Sequence, residues 1–165
     1  MAGEWPTLRV GQGFDIHRFS GVPGRPLVLG GVTIAGVAGL AGHSDADVVA
    51  HAVADALLGA AGLGDLGRHF PDTDPAWAGA DSLALLAGVV GLVEAEGMRV
   101  VNADCTVVCE RPRLADHTEE MGRRLGAVMN APMSVKATRA EGLGTLGRVE
   151  GIACLAVALV AGTLR

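Results

Sequence analysis

Apolar and polar positions alternate along the chain in patterns that predict β-strands toward both ends and helices between them. Apolar runs typical of buried strands occupy residues 8–16, 99–110, 133–138 and 149–160. A short hairpin is predicted over residues 27–34, with two consecutive glycines at its tip. The run at 149–160 is rich in alanine and leucine and would also suit a helix, so the pattern alone leaves its type open.

Three further segments have the spacing of apolar residues that amphipathic helices require. The first is predicted to begin at Ser44, a good N-cap, with Asp47 at the third position of a capping box, and to run to Gly62. The second follows Asp81 and ends at Gly97. The third is marked by Leu114, His117, Met121, Leu125 and Val128. Residues 65–77, dense in Gly, Pro and Asp, are expected to form a loop.

This order of elements predicts an α+β fold, in which a mixed β-sheet is covered on one face by helices in a two-layer arrangement. The chain of 165 residues is long enough to bury a core without disulfides, and we expect one domain over residues 1–165. Half of the residues are hydrophobic, 25 are glycine and only 3% are aromatic. The core is therefore expected to consist of small aliphatic side chains and close backbone contacts.

Charge and cysteine content exclude several classes of function. The formal net charge of −5 disfavours binding to nucleic acid or to a membrane surface, because both require a basic field. The three cysteines, Cys105, Cys109 and Cys154, lack C-x-x-C spacing, which indicates neither a disulfide framework nor a thiolate zinc site. The longest apolar run is shorter than the roughly 20 residues that span a bilayer. We therefore predict a cytoplasmic protein.

The first group of residues that could bind a metal or take part in a reaction is Asp15, His17 and His51. In a strand, Asp15 and His17 project on the same side because side chains alternate with a period of two. His51 lies near the start of the first helix, four residues after Asp47. Two histidines and a carboxylate are a common zinc set that leaves a fourth position open. Taken alone, the same residues could equally be an exposed polar pair and an unrelated helix histidine.

The second group lies in the segment KATRAEGLGTLGRVEG, residues 136–151. Here Thr138, Arg139 and backbone N–H groups could bind phosphate oxygens, and Glu141 could hold a hard cation. The alternative for this segment is a glycine-rich hairpin with solvated charges. The segment CERPR, residues 109–113, indicates by itself only a strand end and a proline turn.

Four motifs together resemble one family, the 2-C-methyl-D-erythritol 2,4-cyclodiphosphate synthases of the non-mevalonate isoprenoid pathway. They are GFDIHRF, AGHSDADVVAH, DALLGAAGLGDLGRHFPDTDP and KATRAEGLGTLGRVEGIA, and the resemblance extends from about residue 10 to residue 159. It implies a lyase that converts 4-diphosphocytidyl-2-C-methyl-D-erythritol 2-phosphate to a cyclic diphosphate and CMP. It also implies a homotrimer with active sites at subunit interfaces.

The resemblance assigns roles residue by residue. Asp15, His17 and His51 correspond to zinc ligands, and Glu141 to the residue that holds a second divalent ion, magnesium or manganese. Catalytic roles are implied for Thr138 and His43. The remaining implied substrate-binding residues are Ser44, Asp65 and Gly67 at the methylerythritol phosphate, Asp72 in the loop that approaches the diol, Pro112 and Ala137 at the cytosine, and Thr138 at a phosphate. Arg139 is predicted to bind the nucleotide phosphates because it follows Thr138 at the end of the same strand.

The chain departs from the family pattern at several positions. Arg139 and Ala140 stand where threonines are common, Thr145 replaces a frequent phenylalanine and Val149 a frequent glycine. Arg148 and the neighbouring Glu150 match a polar cluster at the trimer centre. Two other functions compete with the cyclase: a zinc hydrolase that activates water, for which no H-E-x-x-H motif is present, and a metal-stabilised trimeric protein that binds nucleotide without turnover.

Overall fold

The structure, a computed structural model, describes residues 7–162 of the chain. Its elements are β1 (Thr7–Arg18), β2 (Pro26–Leu29), β3 (Val32–Ala38), α1 (Val48–Ala61), α2 (Leu66–His69), α3 (Ser82–Ala95), β4 (Met98–Val108), α4 (Thr118–Met129), β5 (Met133–Thr138), α5 (Gly144–Gly147) and β6 (Gly151–Gly162). A single 3₁₀ turn, Pro75–Trp77, precedes α3. The predicted α+β class is confirmed.

Four of the strands form a mixed sheet in the order β1-β6-β4-β5. Strand β6 runs antiparallel to both β1 and β4, and β4 runs parallel to β5, whereas β2 and β3 form a separate hairpin. The run whose type the sequence left open is therefore a strand. Its two neighbours explain this, because a central strand satisfies its backbone N–H and C=O groups on both edges.

Helix α1 lies directly on β1, and two glycines make the close approach possible. A Cβ atom on Gly13 would lie 1.9 Å from the carbonyl oxygen of Ala52, and one on Gly11 would lie 2.0 Å from that of Ala56. Gly13, the later of the two glycines, thus faces an earlier turn of α1 than Gly11 does. Strand β1 and helix α1 therefore run in opposite directions. This places the start of α1 beside the end of β1.

The opposite face of the sheet carries apolar side chains that no helix of the described chain covers. On β1 and β6, the exposed large hydrophobic residues are Leu8, Val10, Phe14, Ile16, Leu155 and Val157. Their exposed fractions range from 40% at Leu155 to 68% at Val10. The same face of β4 is polar, since Thr106 and Asp104 pair with Leu155 and Val157 in the ladder. The uncovered apolar area is thus confined to the β1–β6 half of the sheet.

The N-cap of α1 is Asp47, and the prediction of Ser44 at this position was wrong. The fully buried Asp47 carboxylate accepts hydrogen bonds from the backbone N–H groups of Val49 and Ala50, and also from those of Gly30 and Gly31 at the β2–β3 turn. Capping is therefore combined with a tertiary contact to the hairpin. A local capping pattern does not contain that information.

Two further boundaries differ from the sequence prediction. The expected loop at residues 65–77 contains α2 and the 3₁₀ turn, each capped by an aspartate, Asp65 and Asp74. The helix expected from Leu114 begins at Thr118, because Leu114 and His117 form a tight turn in front of it. No helix within residues 7–162 has the length and hydropathy needed to cross a membrane.

Candidate active site

The end of β1 and the start of α1 bring Asp15, His17 and His51 together. The Asp15 Oδ2 atom lies 2.9 Å from His17 Nε2 and 3.0 Å from His51 Nδ1, and the two nitrogens are 3.4 Å apart. These three side chains, here called the metal cluster, are the group within residues 7–162 that could hold a metal ion. The alternative of unrelated polar side chains is thereby excluded.

The shape of the metal cluster fits a tetrahedral metal. Ligand atoms at the zinc–nitrogen and zinc–oxygen distances of about 2.0–2.1 Å stand roughly 3.3 Å apart in a tetrahedron, close to the measured triangle. Each of the three side chains remains partly exposed, with fractions of 14–23%. Three protein ligands with one open side are the arrangement of a catalytic rather than a structural zinc site.

Protonation within the metal cluster follows from these contacts. Burial raises the pKa of Asp15, but hydrogen bonds from His17 and His51 outweigh it and leave the pKa well below its usual range. The hydrogen bond to the Asp15 carboxylate in turn raises the pKa of His17 above its ordinary value. Since a ligating histidine must be neutral, metal binding competes with the proton on His17.

The second ring nitrogen of His51 contacts two serine hydroxyls. His51 Nε2 lies 2.9 Å from Ser82 Oγ and 3.1 Å from Ser44 Oγ. The Ser82 hydroxyl also donates a hydrogen bond to the Asp45 carboxylate. Sequence reasoning missed Ser82 and Asp45 as site residues, because Ser82 lies 31 positions from His51 and no local pattern links them.

A cavity of about 500 Å³ adjoins the metal cluster. Of the residues expected to bind the methylerythritol phosphate, it is lined by His43, Ser44, Gly67 and Asp72. Asp65 is not among the lining residues, and its carboxylate caps α2 by accepting the Arg68 N–H at 2.9 Å. Asp55 also lines this cavity and was not predicted. Burial raises the pKa of Asp55, which accepts the Leu66 N–H at 2.7 Å.

A second cavity of about 900 Å³ opens where β4 and β5 end. It is formed mainly by residues 109–115 and 135–141 and is here called the strand-end cleft. All the residues expected at the nucleotide line it, namely Pro112, Ala137, Thr138, Arg139 and Glu141. Arg139 Nε donates to Glu110 Oε1 at 3.0 Å, while Glu110 Oε2 accepts the Ala140 N–H at 3.1 Å. Glu110 thus holds the loop that follows β5.

The metal cluster and the strand-end cleft lie at the same end of the sheet but on opposite edges. Arg18 at the end of β1 pairs with the start of β6, and Val108 at the end of β4 pairs with Thr138 at the end of β5. Three steps between neighbouring strands, each about 4.8 Å, separate β1 from β5 by roughly 14 Å. Within one chain, the two regions are therefore not adjacent.

Three side chains that could hold a metal ion, with a cavity beside them, indicate the active site of an enzyme. Residues 8–161 match the YgbB family, and the chain belongs to this family. It is 60% identical over 158 residues to the 2-C-methyl-D-erythritol 2,4-cyclodiphosphate synthase of Symbiobacterium thermophilum, an alignment that covers 94% of this chain and 99% of that protein. The chain is accordingly an enzyme of the cyclodiphosphate synthase type, as the motifs indicated.

Solved structures of relatives have the same fold. The bifunctional IspDF of Campylobacter jejuni superimposes with a TM-score of 0.91 at 39% identity, over 97% of this chain and 44% of that longer chain. The structure described as the CDP complex of IspF from Plasmodium falciparum gives a TM-score of 0.81 at 29% identity, over 97% and 99% of the two chains. The mixed sheet with its helices is therefore the family fold.

Proposed function

We propose that this enzyme converts 4-diphosphocytidyl-2-C-methyl-D-erythritol 2-phosphate to 2-C-methyl-D-erythritol 2,4-cyclodiphosphate and CMP by an intramolecular reaction. An oxygen of the 2-phosphate forms a bond to the β-phosphorus, and the bond from that phosphorus to the CMP oxygen breaks, with the electron pair leaving on CMP. The observation that carries this proposal is the triangle of Asp15, His17 and His51 beside a cavity that His43, Ser44 and Asp72 also line.

The residues of the metal cluster would hold zinc, and Glu141 would hold magnesium or manganese. When bound, the ions supply positive charge that offsets repulsion between the reacting phosphates. The chain itself supplies orientation: His43 and Ser44 would hold the 2-phosphate, and Thr138 and Arg139 the nucleotide phosphates. Holding both groups in place lowers the entropic part of the barrier.

The remaining predicted residues would determine which substrate binds. Asp65, Gly67 and Asp72 lie on or beside the cavity at the metal cluster, where carboxylates and a backbone N–H can bind the hydroxyls of the methylerythritol. Pro112 and Ala137 line the strand-end cleft, where they would contact the cytosine. The relative described in complex with CDP supports a cytidine nucleotide as the ligand of this cleft.

We further propose that the active form is a homotrimer with each site shared between two chains. The metal cluster and the strand-end cleft lie on opposite edges of one sheet, whereas the proposed reaction would need the residues of both regions at one substrate. The exposed apolar half of the sheet on β1 and β6 supports burial against another subunit. Arg148 Nε and Glu150 Oε1 pair at 2.6 Å just before β6, where they would approach their symmetry mates.

Product analysis tests the proposed reaction. Phosphorus NMR of a reaction with the purified enzyme and both metals is expected to show the cyclic diphosphate and CMP in equal amounts. An open, hydrolysed phosphate would indicate a zinc hydrolase instead, and tight nucleotide binding without turnover would indicate a binding protein. Elemental analysis of the same preparation is expected to give one zinc per chain, and a His51→Ala variant none.

A further inference from the structure

The hydrogen bonds around His51 extend beyond the metal cluster to two hydroxyls and one carboxylate. Ser82 is 1% exposed and Ser44 7% exposed, so both hydroxyls depend on protein partners. Ser82 Oγ contacts Asp45 Oδ1 on one side and His51 Nε2 on the other. Ser44 Oγ contacts the same nitrogen and accepts the Ala46 N–H at 3.1 Å.

The chemistry of these groups fixes the direction of each bond. An ionised carboxylate only accepts hydrogen bonds, so the single proton of the Ser82 hydroxyl goes to Asp45. Ser82 Oγ can then only accept from its other neighbours, His51 Nε2 at 2.9 Å and Ser44 Oγ at 3.4 Å, and the nearer of these, His51 Nε2–H, is the better placed donor. A neutral imidazole carries one N–H, so a ring that donates from Nε2 has its lone pair on Nδ1, the atom that faces Asp15 and His17. A metal bound at Nδ1 would replace the hydrogen bond that this atom donates to Asp15 in the metal-free site.

We propose that Ser82 and Asp45 are positioning residues that hold His51 in the Nε2–H form and so present Nδ1 to the metal. In metal sites of proteins, the non-ligating N–H of a histidine is commonly held by an acceptor that fixes the ring. Here the acceptor is a serine hydroxyl polarised by a carboxylate on a different element. This inference rests on the proposed zinc site.

The proposal also separates the roles of the two serines. With the proton of His51 accepted by Ser82, the Ser44 hydroxyl does not have to accept it. Ser44 lines the cavity beside the metal cluster, so its own proton is free to go to an anionic ligand there. Ser82 therefore orients the metal ligand His51, and Ser44 donates to the substrate, although both hydroxyls lie within hydrogen-bond distance of His51 Nε2.

Backbone N–H groups from two segments donate to the Asp45 carboxylate and fix its position. Its Oδ2 accepts the Ser82 N–H and its Oδ1 accepts the Asp47 N–H, both at 3.2 Å. The N-terminus of α3 is thereby tied to the turn before α1. A Ser82→Ala variant keeps the Ser82 N–H contact and the Asp81 cap of α3, so we expect it to fold.

The test is the zinc affinity of purified variants, measured by competition with a chromophoric chelator. Ser82→Ala is expected to bind zinc about 10–100-fold more weakly than the unaltered chain, the usual loss when an outer partner of a ligating histidine is removed. Ser44→Ala is the matched variant, because it also removes a hydroxyl beside His51 Nε2. It is expected to keep the zinc affinity while losing affinity for the phosphorylated substrate.

A spectroscopic measurement and a second variant complete the design. In proton NMR of the zinc-loaded enzyme, the His51 Nε2–H signal should lie downfield, move upfield in Ser82→Ala and shift less in Asp45→Asn, which keeps an acceptor but loses the charge. If Ser44→Ala weakens zinc binding and Ser82→Ala does not, the assignment is overturned. If the unaltered chain binds no zinc, the proposed zinc site itself is wrong, which distinguishes the two failures. Should Ser82→Ala not fold, full zinc affinity and an unmoved signal in Asp45→Asn would overturn the proposal.

Discussion

The metal cluster and the strand-end cleft differ in what holds their side chains. In the metal cluster, Asp15 and His17 come from a paired strand, His51 comes from a helix packed on that strand, and each side chain contacts another. In the strand-end cleft, Thr138 and Glu141 lie at the end of β5 and beyond it, and both are exposed. One region is built by regular structure and the other by the segments that follow it.

This difference indicates how the two regions serve the reaction. The geometry of the metal cluster is set by the packing of a single chain, so the site is preorganised before the substrate arrives. The strand-end cleft is open in the single chain, and under the proposed function it would gain contacts from the nucleotide and from a neighbouring subunit. The comparison therefore predicts that mutations in the two regions act separately and that different chains of a trimer complement each other.

The largest effect is expected from mixing two inactive variants. His51→Ala lacks a zinc ligand and Glu141→Ala lacks the second metal site, and each alone is expected to lose turnover completely. After joint dissociation and reassembly in equal amounts, about one quarter of the sites should contain both intact regions, because each site draws on two chains. CMP release measures the recovered activity.

Reassembly of each variant alone is the control and should restore nothing. If mixed trimers form, as judged by native mass spectrometry of differently tagged chains, but activity does not return, each site belongs to one chain. A monomer in light scattering would contradict the shared site directly.

The next effect concerns the contact that builds the metal cluster. Gly13→Ala places a methyl group against the backbone of α1 at Ala52, which must move away from β1. We expect the free energy of unfolding to fall by about 3 kcal/mol or more, together with a loss of zinc affinity as His51 moves from Asp15. Urea denaturation and chelator competition measure the two effects.

Gly21→Ala is the matched control, since nothing lies within 4 Å of a Cβ atom at that position. It should change the free energy of unfolding by less than about 0.5 kcal/mol. Equal effects of the two substitutions would show that the close approach of α1 to β1 does not hold the metal cluster.

The parts of this protein that the sequence predicted well are those with a local signal. Asp15 and His17 share a strand face because of the two-residue period, and the ends of β5 and α3 follow from apolar spacing and glycine positions. Placing His51 beside them required the family resemblance, because the pattern alone does not say which helix start meets which strand end. Metal ligation was therefore only one of the alternatives before the motifs were combined.

The residues that sequence reasoning missed depend on tertiary contacts. Asp47 caps α1 in place of Ser44 because the N–H groups of the β2–β3 turn lie within its reach. Ser82 and Asp45 meet because the start of α3 lies beside the turn before α1. Neither contact leaves a periodic pattern in the sequence, and a serine after an aspartate looks like ordinary helix capping.

A smaller effect is expected in the strand-end cleft from Glu141→Gln. Removing one anionic oxygen ligand should raise the magnesium or manganese concentration needed for half-maximal turnover on the order of tenfold. Zinc content should remain at that of the unaltered chain, because Glu141 lies outside the metal cluster. Glu94→Gln, an exposed position on α3, is the control. An unchanged divalent-ion titration would remove the proposed role of Glu141.

Arg139→Thr restores the residue type that is common at this position in the family and has a smaller expected effect. Arg139 is held by Glu110 at the mouth of the cleft, where its guanidinium can also donate to a phosphate. We expect CDP to bind roughly fivefold more weakly, because one charged donor is lost and Glu110 is left beside the phosphates. Calorimetric titration measures this; equal or tighter binding would mean that the arginine only holds Glu110.

The smallest effect is expected at Val149, whose backbone lies in the left-handed region with φ of 60°. A β-branched residue is strained there, at a cost on the order of 1–3 kcal/mol. Val149→Gly relieves the strain but makes the unfolded chain more flexible by about 0.5–1 kcal/mol, so a net gain in stability of about 1 kcal/mol remains.

Val22→Gly is the control, and we expect it to change the stability in the opposite direction. Val22 is also an exposed loop valine, yet it is not among the residues with positive φ, so the added flexibility is uncompensated and stability should fall slightly. Thermal unfolding at equal chain concentration compares the two.

Because Val149 closes the segment that runs from Glu141 to β6, a gain in stability accompanied by weaker nucleotide binding would mean that the strain helps to shape the strand-end cleft. A loss of stability in Val149→Gly would mean that contacts of the valine side chain outweigh the strain of its backbone.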